Sequence, residues 1–127
     1  MADNLFTFND FGKNIFITGA NSGIGFYSTL HFLKKENYLF IPIRSSERKK
    51  NFFKKLTNYF EIEFLNKHLN IIENIDFDDL NNIKKLEKYF KTNKLNLDIL
   101  ILNAGLQYTG SSYPKVSKQG IELTFAV

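Results

Sequence analysis

Between Asn14 and Gly25 the chain reads Asn-Ile-Phe-Ile-Thr-Gly-Ala-Asn-Ser-Gly-Ile-Gly, an apolar stretch running directly into three glycines spaced Gly-x-x-x-Gly-x-Gly. Such a loop suits a diphosphate. Gly19 lets the backbone turn sharply out of a strand, while Gly23 and Gly25, on either side of Ile24, let it approach phosphate oxygens and pack closely as a helix begins. Amide N–H groups at that helix start, with the positive end of its dipole, face the anion. The side chains of Asn21 and Ser22 can donate hydrogen bonds to the same oxygens. A glycine-rich turn that merely joins strand to helix has the same spacing, so the rest of the chain has to decide between the two.

Three later positions carry groups of matching chemistry, each just after an apolar run. Arg44 and Ser45 follow Ile43. A dinucleotide site that prefers NAD usually has a carboxylate about 20 residues past the glycines to accept from the ribose 2′-hydroxyl. This chain has none there. A guanidinium offers a planar fork of donors suited to a phosphate monoester, which points to the 2′-phosphate of NADP. Asp76 and Phe77 follow Ile75, and the Asp76 carboxylate can accept from an adenine amino group, although Asp76, Asp78 and Asp79 are equally suited to cap a helix or make a turn. Asn103-Ala104-Gly105 follows Leu102 and supplies small residues where backbone lies flat against a ribose, or else a plain strand-ending turn.

The elements that must position these groups alternate between strand and helix patterns. A strand over Lys13–Thr18 leads to an amphipathic helix from Ile24 to Lys35 with Phe26, Leu30 and Leu33 on its apolar side. A second strand spans Tyr38–Ile43 and a basic helix about Ser46–Phe60. A third strand covers Asn70–Ile75, a helix capped by Asp78 or Asp79 runs to about Lys91, and a fourth strand spans Asp98–Leu102. Leu80, Ile83, Leu86, Tyr89 and Phe90 form the apolar side of that last helix. Near-continuous apolar strands joined by crossover helices predict an α/β domain with a parallel sheet covered on both faces. Pro42, inside the second strand pattern, removes a ladder hydrogen bond unless its nitrogen faces an unpaired position.

With 127 residues, 43% hydrophobic and 24% charged, the chain has the size of one domain or part of one. No apolar run is long enough to span a bilayer, and the first residues lack the pattern of a secretory signal. The absence of cysteine excludes disulfides and thiolate zinc sites, so a cytoplasmic protein is expected. No metal site is expected either, since His31 and His68 have no partners at ligand spacing and read as surface or half-buried residues. The net charge of +4 and the run Arg48–Lys55 raise a nucleic-acid reading. It is the weaker one, because Phe52, Phe53, Leu56, Tyr59 and Phe60 fall at helical spacings that make one buried face and leave the lysines in solvent.

Taken in order, these segments resemble the short-chain dehydrogenase/reductase family from about Gly12 to Val127. Thr18–Gly25 matches its Thr-Gly-x-x-x-Gly-Ile-Gly loop, Asn103-Ala104-Gly105 its Asn-Ala-Gly signature, Asp76 its adenine-contacting Asp, and Arg44 the basic residue of NADP-preferring members. The resemblance implies the amino-terminal half of a doubly wound Rossmann sheet with strand order 3-2-1-4. It also implies NADPH as cofactor and hydride transfer to a carbonyl or a carbon–carbon double bond. Lys118–Val127 is similar to the segment before the central helix in retinol-dehydrogenase-like and protochlorophyllide-reductase-like members, which implies a lipophilic small-molecule substrate. Tyr108 and Tyr113 then lie in a loop able to line a substrate pocket or simply to pack.

The family's Tyr-x-x-x-Lys is missing: the six tyrosines are followed four residues later by His31, Pro42, Glu63, Asn93, Ser112 and Ser117. No catalytic residue is therefore assigned, and the chain reads as a single, incomplete dinucleotide-binding domain, inactive by itself. Its fourth strand, lacking an outer neighbour, is expected to promote self-association. A non-catalytic NADPH-binding regulator and a truncated gene product are the alternatives.

Overall fold

The computed structural model describes residues 9–106, 112–123 and 127. Four parallel strands, β1 (Asn14–Ile17), β2 (Tyr38–Pro42), β3 (Leu69–Ile72) and β4 (Ile99–Ile101), form one sheet in the order β3-β2-β1-β4. Ile15 pairs with Leu39 on one side and Ile99 on the other, and Leu39 pairs with Leu69. This is the Rossmann-like half-sheet that the sequence predicts.

Side chains alternate across the pleat, and both sets are apolar. Ile15, Ile17, Leu39 and Ile41 point into one core, which α1 (Gly23–Lys34), α2 (Ser46–Leu56) and α3 (Ile62–His68) close with Leu30, Leu33, Phe52, Leu56 and Leu65. Phe16 and Phe40 point the other way, into a smaller core closed by α4 (Asn81–Thr92) through Leu86, Tyr89 and Phe90. The second face is thinly covered. Ile83 is 48% exposed, Leu100 58% and Leu102 75%, and with Phe16, Phe77 and Phe90 they line an apolar depression of about 280 Å³.

Pro42 keeps its place in β2. Tyr38 N–H donates toward β1 and Ile43 N–H toward β3, so the even-numbered nitrogens of β2, Pro42 included, face β1. The last pair there is Phe16 with Phe40, and the missing donor falls past it.

The basic helix is shorter than its pattern suggests. It ends at Leu56, and a separate helix, α3, occupies Ile62–His68. Phe52 and Leu56 are buried as expected, whereas Tyr59 sits in the connecting turn, 53% exposed. Seven residues with no side-chain cap give α3 little intrinsic stability. Packing supplies it: the rings of Phe60, Phe64, His68 and Tyr38 stack in series with centroids 5.2, 4.3 and 4.8 Å apart. His68 is consequently buried, contrary to the surface or half-buried position expected for it, with Nδ1 3.1 Å from the Asn37 carbonyl oxygen. Helix α4 starts at Asn81, and its N-cap position falls on Leu80, not on Asp78 or Asp79. Asp79 still caps in substance, its Oδ1 accepting from Asn81 N–H at 3.0 Å. Leu80 and Ile83 are exposed rather than part of the buried stripe.

Candidate functional site

The chain segments leaving the four strands converge on one cleft of about 340 Å³ at the carboxyl end of the sheet. Gly19, Asn21, Ser22 and Ile24 form one wall, Arg44 and Arg48 another, Asp76 and Phe77 a third, and Asn103, Ala104 and Gly105 the floor beside β4. Ile75, Ile43, Pro42 and Val127 complete it.

The glycine loop is held by interlocking contacts. Thr18 N–H donates to the Ile101 carbonyl at 3.0 Å, while Thr18 Oγ1 accepts from the amides of Asn103 (3.0 Å) and Ala104 (2.9 Å). Asn103 Nδ2 donates back to the carbonyls of Thr18 and Gly19, both at 3.2 Å. Asn103 thus spends its amide on shaping the loop. Gly19 has φ +66°, and a Cβ there would lie 2.9 Å from Ala104 Cα. A Cβ on Gly25 would lie 2.1 Å from the Gly19 carbonyl oxygen, so α1 can begin against the turn only without a side chain. Gly23 differs: it has φ +54° but open space around it, and its contribution is conformational. Ser22 precedes α1 with no side-chain capping bond and lines the cleft. The first amides of α1 have no partner within the helix, and Ile24 in that turn lines the cleft.

On the second wall Arg44 Nε lies 3.8 Å from Asp76 Oδ1, both side chains being about half exposed. Arg44 thus faces Asp76 across the cleft, and the pair is loose enough to part for a ligand. Asp76 Oδ1 also accepts from Asp78 N–H at 3.2 Å, so this residue both makes the turn and lines the cleft. Ser45 lies just outside. Its hydroxyl accepts from Arg48 N–H at 3.3 Å as the N-cap of α2, and it borders an adjoining polar recess with Arg48 and Lys55.

Thr18 and Arg48 take part in the site in ways that the local pattern does not show. Thr18 was legible only as part of a motif, because its bonding to residues 85 and 86 positions away exists only in the fold. Arg48 carried a signal: with Ser45 as a helix cap, it belongs to the first turn of α2 and points back to the strand end. Tyr113 is 82% exposed, and Tyr108 lies outside the described residues. Among the described residues no three His, Asp or Glu side chains are grouped to hold a metal ion, and no helix is long and apolar enough to cross a membrane.

A profile of short chain dehydrogenases matches residues 13–127. The chain belongs to the short-chain dehydrogenase/reductase family. It is 33% identical over 111 residues to the short-chain dehydrogenase/reductase iacJ of Pestalotiopsis fici, covering 87% of this chain and 33% of that protein. It is 28% identical over 116 residues to human retinol dehydrogenase 13, covering 91% and 33% respectively. The menthone neomenthol reductase of Mentha piperita superposes with a TM-score of 0.64 at 29% identity, covering 74% of this chain and 32% of that one. The chain therefore spans about a third of these relatives' lengths. The family is one of oxidoreductases that use nicotinamide cofactors.

Proposed function

We propose that the cleft holds NADPH and that the chain is the cofactor-binding portion of an NADP-dependent reductase. The observation that carries this is the meeting of two guanidinium groups, Arg44 and Arg48, with the glycine loop in one cleft. The loop and the start of α1 take the diphosphate, Arg44 and Arg48 the 2′-phosphate, Asp76 the adenine amino group with Phe77 beside it, and Asn103–Gly105 the ribose on the nicotinamide side. The missing Cβ atoms at Gly19 and Gly25 let the loop pack against Asn103, Ala104 and the start of α1, and that packing supports a loop shaped to take a diphosphate. When bound, the cofactor supplies a hydride; this chain's residues bind and orient it.

The substrate is a lipophilic carbonyl compound or a conjugated carbon–carbon double bond. The name of human retinol dehydrogenase 13 and the Lys118–Val127 segment support that class, and a protochlorophyllide-like pigment falls within it. Because no tyrosine is followed by lysine at the fourth position, no proton-transfer step is assigned to these 127 residues.

Calorimetric titration separates the cofactors. Charge-assisted hydrogen bonds contribute about 1.5–3 kcal/mol each, so NADPH should bind at least roughly tenfold more tightly than NADH, and Arg44→Ala should remove most of that preference. Equal affinities in the unmodified protein would overturn the NADP assignment.

A further inference from the structure

We propose that Gln119 is a positioning residue that sets the adenine end of the cleft from outside it, an inference that rests on the nucleotide reading above. Residues 115–123 fold into a tight hairpin. Ser117 N–H donates to the Ile121 carbonyl at 2.7 Å, Leu123 N–H to the Lys115 carbonyl at 2.8 Å, and Gly120 takes φ +79° in the turn. The tip of this hairpin grips the connection between β3 and α4 at four points, one of them the ion pair of Lys118 Nζ with Asp79 Oδ2 at 3.5 Å. Lys118 N–H donates to the Asp78 carbonyl at 3.0 Å, Gln119 Oε1 accepts from Leu80 N–H at 3.1 Å, and Gln119 Nε2 donates to Asp79 Oδ1 at 2.8 Å.

The chemistry calls for a side-chain amide. Helix α4 has no acidic residue in its first turn, and Leu80 at its N-cap position has no side-chain acceptor to offer an orphan amide. Gln119, 39 residues away, instead supplies an acceptor for the amide of Leu80 itself. Its other end donates to Asp79, whose carboxylate also takes the Asn81 amide. One forked group thus ties the hairpin to both the turn and the helix start.

What the turn carries gives the tie its consequence. Asp76 and Phe77, at its beginning, line the cleft. Asp79 N–H returns to the Asp76 carbonyl at 3.3 Å, and Asn82 Nδ2 donates to the same oxygen at 2.7 Å, so the backbone that Gln119 holds is continuous with the one that aims Asp76. Gln119 touches no part of the cleft itself and acts through Asp76.

The test compares NADPH with its hypoxanthine analogue, in which a carbonyl replaces the 6-amino group that Asp76 accepts from. The unmodified protein should prefer NADPH, and Gln119→Ala should shrink that preference roughly three- to tenfold, the value of a lost hydrogen bond. A change in helix stability alone would weaken both nucleotides together. Gln119→Glu combined with Asp79→Asn exchanges donor and acceptor across the same contact and should restore the preference. An unaltered preference in Gln119→Ala overturns the inference. Hydrogen exchange at the Leu80 amide, measured without nucleotide, should accelerate in Gln119→Ala; an unchanged rate also overturns it. If the unmodified protein binds neither nucleotide, the nucleotide reading falls, and the Leu80 exchange rate still tests the tie.

Discussion

At Gly25 there is no room for a methyl group. A Cβ would meet the Gly19 carbonyl oxygen at 2.1 Å and Asn103 Nδ2 at 2.6 Å, and neither a peptide oxygen nor an amide engaged in two hydrogen bonds can withdraw freely. Gly25→Ala should therefore push α1 away from the turn at a cost of about 1–3 kcal/mol, and it should weaken NADPH binding along with thermal stability. A melting temperature and affinity equal to those of the unmodified protein would contradict the observed packing. Thr18 and Asn103 set the other boundary of the same turn, and their cross-bonding explains how a three-residue strand end on β4 fixes the shape of a loop on β1.

The segments between strands are tied to one another by carboxylates with lowered pKa values. Hydrogen bonding to Lys35, just past the end of α1, holds Asp10 below the usual aspartate value, with the Lys35 charge and His31 adding to the effect. Lys49 and Ser46 on α2 do the same for Glu73 beyond β3. Gln119, and then the Asn81 amide, lower Asp79. A carboxylate whose folded pKa is depressed stabilises fully above its unfolded pKa of about 4 and loses that contribution as pH falls through the folded value. The melting temperature should thus hold between about pH 5 and 7 and fall below about pH 4. In Asp10→Asn it should be lower at pH 7, and the gap to the unmodified protein should close on acidification. A gap that persists unchanged at pH 3 would count against the Lys35–Asp10 tie.

Across the whole molecule, the two faces of the sheet are unequally covered. Among the described residues three helices shield the Ile15–Leu39 side, while α4 alone shields the Phe16–Phe40 side and leaves Leu100 and Leu102 exposed next to the outer edge of β4. Among the described residues no strand pairs with that edge. An apolar patch beside unpaired backbone favours association, and sedimentation of the chain should show concentration-dependent oligomers that Leu100→Lys with Leu102→Lys reduces. A monomer at every concentration would refute this.

The sequence by itself determined the strand–helix alternation, the glycine loop and the four strand ends that line the cleft, because each depends on local periodicity or on a residue's own conformational limits. The apolar alternation in β1 and β2 marks a sheet buried on both faces, and Arg44, Asp76 and Asn103, which follow the strands, line the cleft at its carboxyl end. Tertiary structure alone decided the rest. Helix α3 is too short to declare itself and forms by stacking on Tyr38; His68 is buried for the same reason. The links from Thr18 to Asn103 and from Gln119 to Asp79 join residues 85 and 40 apart. Local pattern carries no information at that separation; only the crossing of the chain through the sheet brings such groups within reach of a hydrogen bond.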